Sequence, residues 1–411
     1  MRTILLIFLA MLVFSCKETK VQLDKKNMQD DVAVLAADSL NGRKTGSEGE
    51  QKAAEYIAKR FKEIGLTVKG TDSYFQKFSY KGNKNPHGEA EFTSEKNDST
   101  NTGQNVIAYL DNKAENTVVI GAHYDHLGFG GEGSLYREGD AIHNGADDNA
   151  SGVAMMLHLA DSLIKIDSPN NNNYLFIAFS GEEEGLLGSN YFVKNPTIDT
   201  KKVTYMINMD MVGRLNSENT LAVYGLGTSP ILKQVVNANS GDLNIAENDS
   251  GVGPSDHTSF YLADIPVLHF FTGQHEDYHK PTDDTEKVNF KGMEIVANYI
   301  FSIIKDLDKQ PKLPFKKTKN ESEAVPDFKV TLGVVPDYLF SGKGMRIDGL
   351  SEDRPAQKAG LQKGDVVVKM GDFEVTDMMS YMKSLSKFEK GQTATVTIKR
   401  NDELKEVEVT F

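Results

Sequence analysis

Apolar and polar positions change their pattern twice along this 411-residue chain. From residue 105 to 308, short apolar runs recur at 106–110, 118–122, 174–179, 203–211 and 265–271. Runs this short and this uniformly apolar predict strands buried on both faces. Stretches with helical spacing lie between and after them, at 152–163, 186–193, 229–238, 258–262 and 290–307. Residues 170–173 are all Asn or Pro-adjacent Asn and read as a polar turn. Alternating strands and helices predict an α/β fold, a mostly parallel mixed sheet flanked by helices. Beyond 328 the apolar positions alternate, with strands expected at 330–334, 344–347, 365–370, 393–399 and 405–411. Helices are expected near 355–359 and 377–386. That pattern predicts a small β-rich domain over 328–411, joined by a lysine-rich linker over 309–327.

The first hundred residues are less regular. Residues 28–40 have helical spacing. Gly42 and Gly46 interrupt it, and Ser47 with Glu50 three positions on resembles a capping box. The next helix runs to 64, with Gly65 as its stop. A strand is expected at 74–80, then a polar stretch over 83–103 with one short strand near 89–92. Residues 4–14 form an apolar run behind Arg2, too short to span a bilayer as a helix. It ends at Ser15-Cys16. A small residue before a lone cysteine there resembles a bacterial lipoprotein signal, in which residues 1–15 are removed and Cys16 is lipidated. Export to the cell envelope, a lipid anchor in the membrane and a tether over 16–27 are the corresponding expectations.

Composition narrows the picture. A chain of 411 residues exceeds what one core usually holds, so two domains are expected, the larger over 28–308. Net charge is −13, which argues against a nucleic-acid partner and against anchoring by a basic patch. Cys16 is the sole cysteine, so no internal disulfide is available.

The candidate chemistry lies at strand ends. His123 and Asp125 follow the 118–122 run, Asp148 follows the loop behind it, and Glu182 and Glu183 follow 174–179. Asp210 closes the fourth run, and Tyr278-His279 lie beyond the fifth. Carboxyl ends of parallel strands converge on one crevice, so these groups can meet there. Singly, each has an ordinary structural reading: a turn or cap aspartate, a core histidine, or helix-N-terminal glutamates. Together they form a nitrogen and oxygen donor set suited to zinc.

Five segments, GAHYDH, GADDNASG, SGEEEGLLGS, MINMDMVG and DYHKPTDD, occur in this order. Their sequence resembles the co-catalytic zinc exopeptidase family, which includes secreted leucyl aminopeptidases, glutamate carboxypeptidase II and the transferrin receptor ectodomain. The resemblance covers residues 28–308. It implies two Zn2+ per chain, one held by His123, Asp148 and Asp210 and the other by Asp148, Glu183 and His279. It also implies Glu182 as general base, Tyr278 as hydrogen-bond donor to the oxyanion, and Asp125 as the carboxylate that orients His123. Asn149 stands where the family often has a cis peptide. Ser255-Asp256-His257 matches a family segment near the substrate pocket, or simply caps the helix from 258. His126, His143 and Asp147 read as loop residues.

Peptide substrates follow from the resemblance, with removal of N-terminal residues expected because no inserted lid domain fits before residue 105. Arg43, Arg137 and Arg214 are the cations that a carboxypeptidase reading would need placed. A glutaminyl cyclase with one zinc and a non-catalytic receptor share the fold; the presence of every family ligand argues against both. At the C-terminal end, Leu332-Gly333, Ala359-Gly360-Leu361 and Gly364-Asp365 resemble a bacterial PDZ domain. Its implied partner is a peptide C-terminus, with Met378, Met382 and Leu385 lining the pocket or forming core.

Overall fold

The computed structural model describes residues 25–81, 91–94, 100–131, 133–166, 171–318, 329–337, 340, 342–350 and 354–411. The expected signal segment, including Cys16, lies outside these residues. Ten strands form the larger sheet: β1 (Thr67–Val68), β2 (Phe75–Lys81), β3 (Glu91–Phe92), β4 (Thr100–Leu110), β5 (Asn116–His123), β6 (Asn172–Phe179), β7 (Val203–Met209), β8 (Thr220–Tyr224), β9 (Asn244–Glu247) and β10 (Val267–Phe271). Their order is β3-β2-β4-β6-β5-β7-β10-β8-β9, with β1 paired to β4. The mixed α/β sheet is as expected, and its central run β6-β5-β7-β10 is parallel. That run decides where the site lies, because all four strands end on one edge.

Side-chain alternation explains why these strands are apolar throughout. Val118, Ile120 and Ala122 enter the core on one face, with α1 (Lys25–Leu35), α2 (Glu48–Ile64), α3 (Gly152–Ile164) and α7 (Phe290–Leu307). Val119 faces the other side, in a smaller cluster with Phe192 of α4 (Leu187–Lys194) and Phe260 of α6 (His257–Tyr261). Helix α5 (Leu232–Ala238) starts later than expected. Ser47 does cap α2, accepting from the Glu50 amide, but the Glu50 side chain reaches the Gly46 amide rather than that of Ser47. Gly65 ends the helix at φ 95°.

Two expectations change. Asn172 and Asn173 open β6 rather than form a turn; Asp308 accepts from the Asn171 amide and from Asn172 Nδ2, so the strand begins polar and yet satisfied. Residues 309–318, expected as linker, pack down instead. Leu313 is buried and its amide donates to Thr204 Oγ1, Lys316 N donates to Thr228 O, and Phe315 meets Tyr261. Residues 319–327 lie outside the described part.

The C-terminal sheet is antiparallel: β11 (Val334–Pro336), β12 (Met345–Leu350), β13 (Val366–Met370), β15 (Thr393–Arg400) and β16 (Glu403–Thr410) in that order, with β14 (Phe373–Glu374) on β13. It has its own core around Leu332, Ile347, Val367 and Val396. Helix α8 (Pro355–Lys358) precedes β13, and α9 (Met378–Leu385) packs Leu385 into the core with Met378 and Met382 half-buried beside it. Among the described residues no helix is long and apolar enough to cross a membrane.

Candidate metal centre

The site is built on strand ends and tied by main-chain contacts. His123 is the last residue of β5, and Asp210 follows β7, its neighbour in the sheet. Between β5 and α3 the chain makes a loop that returns as the irregular turn Ala146–Ser151. Buried Arg43 fastens that loop, donating to the carbonyls of Leu35, Tyr124, Asn144 and Gly145. The Asp148–Asn149 peptide is cis. Asn149 clamps it to the end of β7, donating to Met209 O and accepting from the Met211 and Gly152 amides. Asp283 Oδ2 accepts from the Asp147 and Asp148 amides at 3.0 Å each, a role that its sequence position does not suggest.

Asp148 stands between two groups of donors. Its Oδ1 lies 3.3 Å from His123 Nε2, which lies 3.4 Å from Asp210 Oδ1. Its Oδ2 lies 3.2 Å from His279 Nε2, which lies 3.2 Å from Glu183 Oε2. Two atoms bound tetrahedrally to one zinc at 2.0–2.1 Å stand about 3.3 Å apart. All four separations match that value and exceed a strong charge-assisted hydrogen bond. The donor chemistry and the spacing therefore fit two zinc ions sharing Asp148.

Charge tells the same story. Burial alone would lower the His123 imidazole, but Asp210 and Glu182 outweigh it and hold it well above its ordinary value. Burial would likewise lower His279, and Glu183 and Asp148 reverse that. Burial would raise Asp148 and Glu183, yet neighbouring histidines pull Asp148 well below its usual range and Glu183 down to about 2. A cluster of buried carboxylates calls for positive charge at this spot.

Glu182 belongs to neither triad. Burial pushes its carboxyl well above the usual glutamate range, against the pull of His123 and with help from Asp210 and Glu183. Buried beside His123 and Asp210 and outside both triads, it stands where a carboxylate can act as general base. Tyr278 stacks on His279 with ring centroids 3.8 Å apart. Both line an open cleft of about 520 Å³ together with Asp148, Glu182, Glu183 and Asp210. Met211, Tyr224, Pro254 and Phe271 form its apolar side.

Asp125 stands beside His123 and takes a second role as well. His123 Nδ1 is 3.3 Å from the Asp125 main-chain oxygen and 3.7 Å from its carboxylate. The carboxylate also accepts from the Glu182 amide at 3.1 Å, the Glu183 amide at 3.4 Å and Thr45 Oγ1 at 3.0 Å. It thus fixes the turn that carries both glutamates, because amides at the turn need an acceptor. His126 is a correction: read as a loop residue, it lies with Nδ1 2.7 Å from Glu183 Oε1. The signal was present as a second histidine three residues after the first, but nothing in the sequence points the ring inward. His143 does sit in the loop, bonded to Ser134 and Ala141. Asp147 receives Gly213 N and Ser151 Oγ and pairs with His275.

The glycine-rich loop does more than span. Gly133 O accepts from His279 Nδ1 at 2.9 Å, and Leu135 N donates to His279 O. This pins the imidazole with Nε2 toward Asp148 and Glu183. Asp256 does not cap α6; it is buried near His123 and Asp210, and burial pushes it up to about 7. Of the three arginines, Arg43 holds carbonyls, Arg214 pairs with Asp277 at 2.8 Å, and Arg137 is exposed on the loop. Among the described residues no lysine or arginine lines the cleft.

Residues 105–304 match peptidase family M28 and residues 320–411 match the PDZ domain. A probable leucine aminopeptidase of Trichophyton verrucosum is 30% identical over 227 residues, 51% of this chain and 57% of that protein. The chain spans about half the length of the curated relatives it matches. Among solved structures, an aminopeptidase from Aneurinibacillus superposes with TM-score 0.54 at 20% identity, covering 72% of this chain and 96% of that one. A glutaminyl cyclase of Fimbriiglobus ruber gives 0.55 at 21%, covering 70% and 96%. These two likenesses speak to the fold.

Proposed function

Since the chain belongs to peptidase family M28 over residues 105–304 and carries a PDZ domain over 320–411, we propose that it is a two-zinc aminopeptidase that removes N-terminal residues from peptides. His123, Asp148 and Asp210 would hold one ion; Asp148, Glu183 and His279 would hold the other. The observation that carries this reading is the pair of triads sharing Asp148, with all four donor separations at 3.2–3.4 Å. The zinc pair, when bound, supplies a more acidic water and polarises the scissile carbonyl.

The chain's own groups do the rest. Glu182 takes a proton from the attacking water as its oxygen bonds to the carbonyl carbon, and returns that proton to the leaving nitrogen as the C–N bond breaks. Tyr278, held against His279, donates a hydrogen bond to the oxygen that gains charge. Asp125 keeps Glu182 and Glu183 in register through their amides. A substrate's α-ammonium suits the carboxylate side of the cleft, while a C-terminal carboxylate finds no lysine or arginine there. The apolar wall suits a hydrocarbon side chain on the N-terminal residue.

The test is hydrolysis of free and N-blocked peptides, with zinc content measured on the same sample. Release of unblocked N-terminal residues at two zinc per chain, abolished by Glu182→Gln, is the expected result. Full zinc loading without hydrolysis sinks the reading, and cyclisation of N-terminal glutamine would assign the site to the other activity.

Two parts of the reading rest on sequence. Residues 1–15 are an export signal and Cys16 a lipid anchor; Cys16→Ser would release the protein from the membrane fraction. The PDZ domain takes a peptide C-terminus along β11, the sheet edge, at the Leu332-Gly333 loop. Gly333 has φ 74°, lies against Arg354 and donates its amide to Thr331 Oγ1.

A further inference from the structure

The reading above gives no task to His126, although its contact with Glu183 is the shortest that either of the glutamate's imidazole neighbours makes. We propose that His126 is a positioning residue for the second zinc: it donates from Nδ1 to Glu183 Oε1 and so commits Oε2 to the ion. The inference rests on the two-zinc reading.

Distances separate the two kinds of histidine. His279 Nε2 is equidistant from Asp148 Oδ2 and Glu183 Oε2 at 3.2 Å, the spacing of atoms that share an ion. His126 Nδ1 is 2.7 Å from Glu183 Oε1 and 3.9 Å from Asp148 Oδ2. The first value is a charge-assisted hydrogen bond; the second exceeds the 3.2 Å that His279 keeps to the same oxygen, so His126, although near enough to group with Asp148 and Glu183 around an ion, is placed as a hydrogen-bond donor to Glu183. Its other nitrogen, Nε2, is enclosed without a partner, so it supplies no donor to either triad.

The ring cannot easily turn away. It is buried, and its edge meets His279 at 5.8 Å between centroids with planes 70° apart. Gly145, at φ 54°, lies so close that a Cβ there would come within 2.6 Å of the imidazole Cδ2. The loop that delivers Asp148 thus seats His126, and His126 orients Glu183. A carboxylate with one oxygen already occupied presents the other to the metal in a single orientation. Loss of such a partner typically costs 10- to 100-fold in metal affinity.

The experiment compares the full chain with His126→Asn and His126→Phe by zinc competition titration, with a thermal melt on each sample. Asparagine can place an N–H where Nδ1 stood; phenylalanine keeps the ring but removes the donor. The expected result is one tight zinc and a second weakened by about 10- to 100-fold in the Phe variant, with near wild-type binding in the Asn variant. Unchanged zinc binding in the Phe variant overturns the proposal. Equal loss of the second zinc in both variants also overturns it, since the donor would then not be what matters. Should the Phe variant fail to melt cooperatively, His126→Leu replaces it with the same readout. Wild-type chain binding fewer than two zinc ions would instead defeat the two-zinc reading itself, before either variant is considered.

Discussion

The two halves of the site reach the same donor spacing by different means. In one half, His123 and Asp210 sit at the ends of adjacent parallel strands, where the ladder pairing of Gly121 with Asn208 sets their separation. In the other, Glu183 lies in a turn and His279 in a loop with φ 54°, and no ladder fixes either. Their places come from a collar: Gly133 and Leu135 hold His279, while Asp125 and His126 hold the Glu182–Glu183 turn. A strand end inherits precision from the sheet, whereas a loop ligand needs dedicated partners. The loop-borne half should therefore be the one that mutation loosens first.

The strongest change bears on neither half. Glu182→Gln should lower kcat by about 10²–10⁴-fold while both zinc ions remain, read by steady-state rates and metal analysis. Next, Gly145→Ala puts a Cβ against the Asp148 carbonyl and the His126 ring in a backbone region that favours glycine. It should cost roughly 2–4 kcal/mol in urea unfolding and weaken the second zinc more than the first. Equal weakening of both would break the comparison. Asp125→Asn leaves the ring of His123 facing a main-chain oxygen but weakens the acceptor for two turn amides. A loss of about 1–2 kcal/mol is expected, with a fall in kcat larger than any rise in KM.

A pH-dependent prediction concerns the support beneath the turn. Burial pushes the Glu50 carboxyl up to about 8, partly offset by its bonds from Ser180 and the Gly46 amide. A raised folded value means that this contribution to stability is complete below the unfolded value of 4.5 and is lost as pH climbs toward 8. The wild-type unfolding free energy should fall by up to about 1 kcal/mol per pH unit across that window, and Glu50→Gln should flatten the slope. Melts at several pH values decide it; an unchanged slope would mean that the bonds to Ser180 and Gly46 already keep the carboxylate charged.

Much of this was legible in the chain before any coordinates. Strands buried on both faces must be apolar throughout, so the four central strands announced themselves, and with them the polar residues at their ends. Other features were hidden by local polarity. Asn171 and Asn172 look like a turn because their partner, Asp308, is 137 and 136 residues away. Residues 309–318 look like linker because one leucine, one phenylalanine and main-chain amides do the packing. His126 shows no sign in the sequence of its contact with Glu183, and Asp125, placed beside His123, gives no sign of its second task at the glutamate turn. Both depend on where a side chain points after a strand ends, where periodicity stops being a guide.

By itself, then, the sequence determined the sheet, the order of the five motifs and the set of donors, because buried strands and metal-binding side chains leave a compositional mark. The tertiary structure decided which oxygen of Asp148 meets which histidine, that Asp125 serves the glutamate turn, and that His126 touches Glu183. Those outcomes depend on separations of 2.7 against 3.9 Å. Differences of that size arise from packing between segments distant in the chain, which no local pattern records.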